Sequence, residues 1–151
     1  MKLRQLRLRY VKNSLLLFTF FVESAIIKTL KKGAFPMFLL CYPKCSTCKK
    51  AQAWLDERGV AYEYRDIKTD NPTYDELKLW YEKSGLPLKR FFNTSGLAYR
   101  NNNLKDKLPE MTEEEQLRLL ATDGMLVKRP LAVGDDFVLP GFREKEWVQT
   151  F

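Results

Sequence analysis

Histidine is absent from all 151 residues. With it go the Ser-His-Asp and Cys-His catalytic arrangements, histidine metal sites and an imidazole base working near neutral pH. Any chemistry must then run on thiols, carboxylates, lysines and arginines. Cysteine is scarce: the three residues Cys41, Cys45 and Cys48 cannot complete a four-thiolate zinc or iron-sulfur site within one chain. They are also too few for the disulfide framework of a small secreted domain, and suit a reducing, cytoplasmic setting better. Internal repeats and low-complexity tracts are missing as well.

An excess of one charge is missing where it would matter most. The formal net charge is +7, but Lys2, Arg4, Arg7, Arg9, Lys12, Lys28, Lys31 and Lys32 stand against Glu23 within residues 1–36 and account for all of it. Residues 37–151 carry 18 basic and 18 acidic side chains. A neutral body has no general footprint for phosphate backbones, so direct nucleic-acid binding is not expected. Residues 1–36 read as an N-terminal extension. Their apolar run, Leu15 to Val22, is cut by Glu23 and is too short to span a bilayer, and Ser24-Ala25-Ile26-Ile27 matches a signal-peptide cleavage site poorly. Three readings stay open for the extension: upstream translation ahead of Met37, a membrane or targeting segment, and an amphipathic helix docked on the domain.

What is present from Met37 onward is clear punctuation. Met37 to Tyr42 is a nearly continuous apolar run, as in a strand covered on both faces, and Pro43 ends it. Cys48, Ala51 and Leu55 recur at helical spacing up to the stop at Gly59, and Tyr62 and Tyr64 alternate with charged residues in a second strand ending at Asp66 or Ile67. Thr73-Tyr74-Asp75-Glu76 and Thr112-Glu113-Glu114-Glu115 are capping boxes that open two further helices, closed by Gly85 and Gly124. Leu131 to Val133 and Phe137 to Leu139 form a hairpin through Gly134-Asp135-Asp136, and a last helix runs from Arg143 to Gln149.

Cys45-Ser46-Thr47-Cys48 falls at the first strand-helix junction. Free amides and the helix dipole stabilise an anion there, and Lys44, Lys49 and Lys50 add positive charge. Cys45, first in the motif, is the candidate nucleophile and Cys48, one turn on, the resolving thiol. Cys41 lies inside the apolar strand and reads as core packing. The order β-α-β, helical stretch, hairpin, helix with C-x-x-C at this junction gives an α/β, thioredoxin-like layout.

Tyr42-Pro43-Lys44-Cys45-Ser46-Thr47-Cys48-Lys49-Lys50-Ala51, with Phe92-Asn93-Thr94-Ser95-Gly96 and Lys128-Arg129-Pro130-Leu131 downstream, resembles the arsenate reductase (ArsC) family, including its Spx- and MgsR-type regulator branch. The resemblance runs from about Met37 to Trp147. It implies a thioredoxin-like fold with a mixed four-stranded sheet, a helical insertion over roughly Thr73 to Thr122, and Pro130 as a cis-proline at the site. It also implies three basic residues around an oxyanion. Arg129 matches one, Lys89 with Arg90 stands at the second, and Arg143 is nearest to the third. No bound cofactor is implied. The reductant is external: thioredoxin, glutaredoxin or a small thiol. Glutathione-dependent members have no thiol at the position of Cys48, so the pair present here favours an internal disulfide. The regulator branch implies instead a C-x-x-C switch on a protein that binds the RNA polymerase α-subunit, with Gly85 at the contact.

Overall fold

A computed structural model describes residues 37–151; the readings of residues 1–36 lie outside them. Strand β1 (Met37–Cys41) leads into helix α1 (Ser46–Glu57) and strand β2 (Tyr62–Asp66). Helices α2 (Tyr74–Ser84), α3 (Leu97–Asn101), α4 (Leu104–Lys107) and α5 (Glu113–Thr122) follow, joined by short 3-10 segments. Strands β3 (Leu131–Val133) and β4 (Val138–Pro140) and helix α6 (Glu144–Thr150) complete the order.

The sheet order is β2-β1-β3-β4. β1 pairs in parallel with β2, from Met37 opposite Tyr62 to Cys41 opposite Asp66, and antiparallel with β3, which pairs antiparallel with β4. This is the mixed four-stranded sheet expected. β1 is central because its apolar run can be covered on both faces, and parallel pairing with β2 requires a crossover, which α1 supplies. Side chains alternate along β1. Met37, Leu39 and Cys41 pack with Cys48, Ala51, Trp54 and Leu55 of α1, Ala132 of β3 and Trp147 of α6. Leu40 faces the opposite way into a larger core with Leu77 and Trp80 of α2, Phe91, Phe92, Leu117 and Leu120 of α5, and Leu131 and Val133.

Both capping boxes form. The Thr73 side chain accepts from Glu76 N while Glu76 Oε2 accepts from Thr73 N at 2.8 Å, and Thr112 with Glu115 repeats the arrangement. Gly85 caps α2 with φ 60°, in the left-handed region. Gly124 does something other than end a helix. Asp123 separates it from α5, and its role is close approach, since a Cβ there would run into the Ile67 carbonyl. β4 sits one residue later than expected because Phe137 O accepts from Gly134 N at 3.0 Å and so belongs to the turn. Pro140 is tolerated because β4 is an edge strand. α6 begins at Glu144, with Arg143 as its N-cap residue. No helix among the described residues is long and apolar enough to cross a membrane.

Candidate functional site

The site begins with a turn. Cys45 N donates to Tyr42 O at 3.0 Å, and the Cys45 carbonyl accepts from Lys49 N at 3.1 Å as the first bond of α1. Cys45 is therefore the N-cap residue of a twelve-residue helix, with extended backbone (φ −92°, ψ 118°), and the first amides of α1 have no intrahelical acceptor. Cys45 is half-buried, whereas Cys48 and Cys41 are fully buried, and all three thiols are free.

Cys48 is hydrogen-bonded by both other thiols, Cys41 from the strand beneath and Cys45 from the N-cap. The bond from Cys41 does most to pull the Cys48 thiol down from 9.0 to about 6. Burial opposes this, while the Tyr42 backbone, Cys45 and the Arg129 charge reinforce it. The same bond, then burial, pushes Cys41 up, so Cys41 keeps its proton and acts as donor. Cys41 is thus core packing, as its strand position suggested, and also a polar neighbour of the motif, which no local pattern signals.

Above the N-cap lies a cavity of about 630 Å³. Cys45 and Thr47 line it, with Lys89, Arg90, Lys128, Arg129 and Arg143, and no carboxylate side chain is among its walls. Five sequence-predicted residues, Cys45, Lys89, Arg90, Arg129 and Arg143, are thereby brought to one cavity. Cys48 is not on its wall but lies behind Cys45, and Pro130 is buried at the head of β3. The Arg129–Pro130 peptide is cis, as the resemblance implies. One wall is the segment Phe92 to Gly96. It is tied to the Arg129 segment by a bridge between Phe92 and Val127, by Lys128 N donating to Phe91 O at 2.6 Å and by Asn93 N donating to Leu126 O at 2.7 Å. Gly96 has no room for a side chain because a Cβ would strike the Asn93 amide.

The cations differ in how they are held. The Arg129 guanidinium lies 5.3 Å from the centre of the Tyr42 ring and its Nη1 donates to Met125 O at 3.4 Å. Its Nε is buried with no hydrogen-bond partner. Arg90 and Arg143 are both engaged by Glu146, at 3.2 Å each. Lys89 is exposed. Sequence reasoning missed Lys128, although it adjoins Arg129, and Glu146, although it stands one helical turn after Arg143. Among the described residues no His, Cys, Asp or Glu side chains group into a metal site.

Comparison with known proteins agrees with this geometry. The ArsC family model matches residues 40–150. The chain belongs to the ArsC family. It is similar to YusI of Bacillus subtilis, described as uncharacterized, at 53% identity over 73% of this chain and 93% of that protein. It is also similar to the crystal structure of a possible arsenate reductase from Streptococcus mutans, at 45% identity and a TM-score of 0.71 over 76% of this chain and 98% of that one. The regulatory protein MgsR of Bacillus subtilis is 29% identical over 70% of this chain and 82% of its own length. The fold is accordingly the thioredoxin-like fold of ArsC proteins.

Proposed function

We propose that this ArsC-family chain is a cytoplasmic thiol-disulfide redox protein acting on an oxyanion of the arsenate type, with Cys45 as nucleophile and Cys48 as resolving thiol. The observation that carries the reading is that Cys45 opens onto a cavity walled by cations while Cys48 waits buried behind it, in hydrogen-bond contact.

The Cys48 thiolate takes the proton of Cys45, the Cys45 thiolate attacks pentavalent arsenic, and the hydroxide it displaces takes that proton from Cys48 and leaves as water. The Arg129 guanidinium on the cavity wall and the amides at the start of α1 meet the oxyanion's negative charge. Cys48, after losing its proton, attacks Cys45 Sγ. The sulfur-arsenic bond breaks, its electron pair goes to arsenic, and arsenite leaves as the Cys45–Cys48 disulfide forms. No bound cofactor is needed. An external thiol, thioredoxin, glutaredoxin or a small thiol, returns two electrons and two protons. Lys89 and Lys128 contribute the remaining positive field, while the charges of Arg90 and Arg143 are offset in part by Glu146.

Stopped turnover with arsenate and a thiol reductant tests this. Cys45→Ser should abolish arsenite formation, and Cys48→Ser should stall after one covalent adduct. Multiple turnover by Cys45→Ser would overturn the assignment.

A second reading is favoured by the similarity to MgsR: a redox-sensing regulator that docks on the RNA polymerase α-subunit and uses the same thiol pair as its switch. Gly85 is exposed, and a Cβ there would meet nothing within 4 Å, so Gly85→Arg would add a bulky charge to an open surface at the cost of a strained left-handed residue. Binding of the α-subunit's C-terminal domain that Gly85→Arg abolishes, with no thiol-dependent turnover, would favour this second reading.

A further inference from the structure

One carboxylate governs two of the cavity's five cations. Arg90 Nη2 donates to Glu146 Oε1 at 3.3 Å and to Oε2 at 3.2 Å, and Arg143 Nη1 donates to Oε1 at 3.2 Å. Arg90 comes from the 3-10 segment after α2, Arg143 is the N-cap of α6, and Glu146 lies in the first turn of α6. Arg90 and Glu146 are only partly exposed, at 24% and 35% of their side chains, so their pair is less screened than a surface one. No carboxylate lies within ion-pair reach of Lys89, Lys128 or Arg129 among the described residues.

We infer that Glu146 sets the anion selectivity of this cavity: it holds Arg90 and Arg143 in an internal ion-pair bridge, and a free inorganic oxyanion must displace it to reach them. The inference rests on the reading of the cavity as an anion site and names the residue that limits it. A guanidinium prefers a planar two-oxygen acceptor, and Glu146 supplies one already tethered to the same helix as Arg143. A dissolved tetrahedral dianion offers the same chemistry but must first lose its own water and translational freedom. Wild-type protein therefore meets small oxyanions with Arg129, Lys128 and Lys89, and keeps the two bridged arginines in reserve. The resemblance puts Arg90 beside Lys89 at the second oxyanion position and Arg143 nearest to the third; the bridge makes both conditional ligands.

The test is calorimetric titration of inorganic phosphate into the reduced full-length protein at low ionic strength. Glu146→Gln keeps the shape and removes the charge, and should tighten phosphate binding about tenfold, the scale of one charge-assisted contact. Glu144→Gln removes the same charge from the same helix without touching either arginine, since Glu144 meets Trp54 Nε1 instead. It should change affinity far less. Added to Glu146→Gln, Arg90→Gln should remove most of that gain. Equal binding by wild type and Glu146→Gln, an equal gain from Glu144→Gln, or no phosphate binding by any variant would overturn the inference. If Glu146→Gln does not fold, Arg90→Gln by itself decides: a loss of about tenfold in the wild-type background would mean that Arg90 already faces the ligand. Turnover through Cys45 and Cys48 is measured separately, so a failed redox reading leaves the titration interpretable, and a failed titration leaves the thiol chemistry standing.

Discussion

The face of the sheet under α2 and α5 and the face under α1 and α6 are built from the same strands, whose side chains alternate between them, yet they are stabilised in different ways. The α2/α5 side is a broad apolar core in which Leu40, Leu77, Phe91, Leu120 and Val127 are buried, and its helices are opened by two complete capping boxes. The α1/α6 side is smaller and mixes aromatic rings with sulfur. Trp147 stacks edge-on against Trp54 at 5.8 Å and Phe142 at 4.8 Å, and donates through Nε1 to Gly141 O at 3.1 Å. Here α1 has no side-chain cap at all, because its N-cap position is occupied by Cys45. A half-buried thiol stands where serine or threonine would stabilise the helix, so α1 forgoes that side-chain cap. The difference teaches that the insertion side is held by apolar burial and helix caps, whereas the α1/α6 side holds the three thiols, and the cavity opens where Lys89, Arg90 and Phe92 to Gly96 of the insertion meet Cys45.

The comparison is tested most severely by Trp147→Ala against Leu120→Ala. Each removes a fully buried side chain. Trp147→Ala should cost about 3 to 5 kcal/mol and Leu120→Ala about 2 to 5 kcal/mol of unfolding free energy in denaturant titrations. Trp147 anchors the helix that carries Glu146 and is capped by Arg143, so its loss should also lower turnover per folded molecule. Leu120→Ala should not. If both variants lose activity equally per folded molecule, the two faces are not separable.

Arg129→Ala comes next. Removing this charged donor from the cavity wall should weaken oxyanion binding by about 1.5 to 3 kcal/mol, one to two decades, with little loss of fold. Steady-state rates and circular dichroism read the two effects. Turnover within a factor of about two of wild type would remove Arg129 from the site.

How much of this was legible beforehand divides along the same line. Both capping boxes and the left-handed glycine at Gly85 depend on neighbours within four residues, and the sequence pattern located them. β1 declared itself by a run that only a central strand can bury. Cys45 at the N-cap followed from the motif and the strand before it. Features that depend on distant partners were not legible. Gly124 is small because of the Ile67 carbonyl, Cys41 matters because α1 lays Cys48 across it, and Glu146 matters because α6 brings it to Arg90, 56 residues away. β4 was displaced by one residue because the turn's closing bond takes Phe137 out of the strand.

Thr112→Ala probes the scaffold with a smaller expected effect. It removes the side-chain oxygen that accepts from Glu115 N at 3.3 Å, and should cost about 1 kcal/mol of stability. Thiol titration and turnover should stay at wild-type values, since α5 lies on the far side of the sheet from Cys48. A shift in either would show the two faces to be coupled.

The smallest effect at neutral pH is expected from Cys41→Ala, and it reaches furthest into the thiol side. The Cys41 bond is the largest influence lowering Cys48, so its loss should move the Cys48 midpoint up from about 6 toward 9.0. Following thiolate ultraviolet absorbance in a Cys45→Ser background isolates this titration. A thiol with a midpoint of about 6 is already mostly ionised at neutral pH, so the variant differs most clearly in where its absorbance rises. The sign for stability follows from the same shift. Folding favours the Cys48 thiolate, so the reduced protein binds fewer protons than its unfolded chain between about 6 and 9.0. Its Cys48-linked stability is complete above that window and is lost as pH falls through about 6. Cys41→Ala should flatten this slope. An unmoved midpoint and an unchanged slope would mean that Cys41 is core packing and nothing more, and the thiol side would then be as apolar beneath Cys48 as the insertion side is throughout.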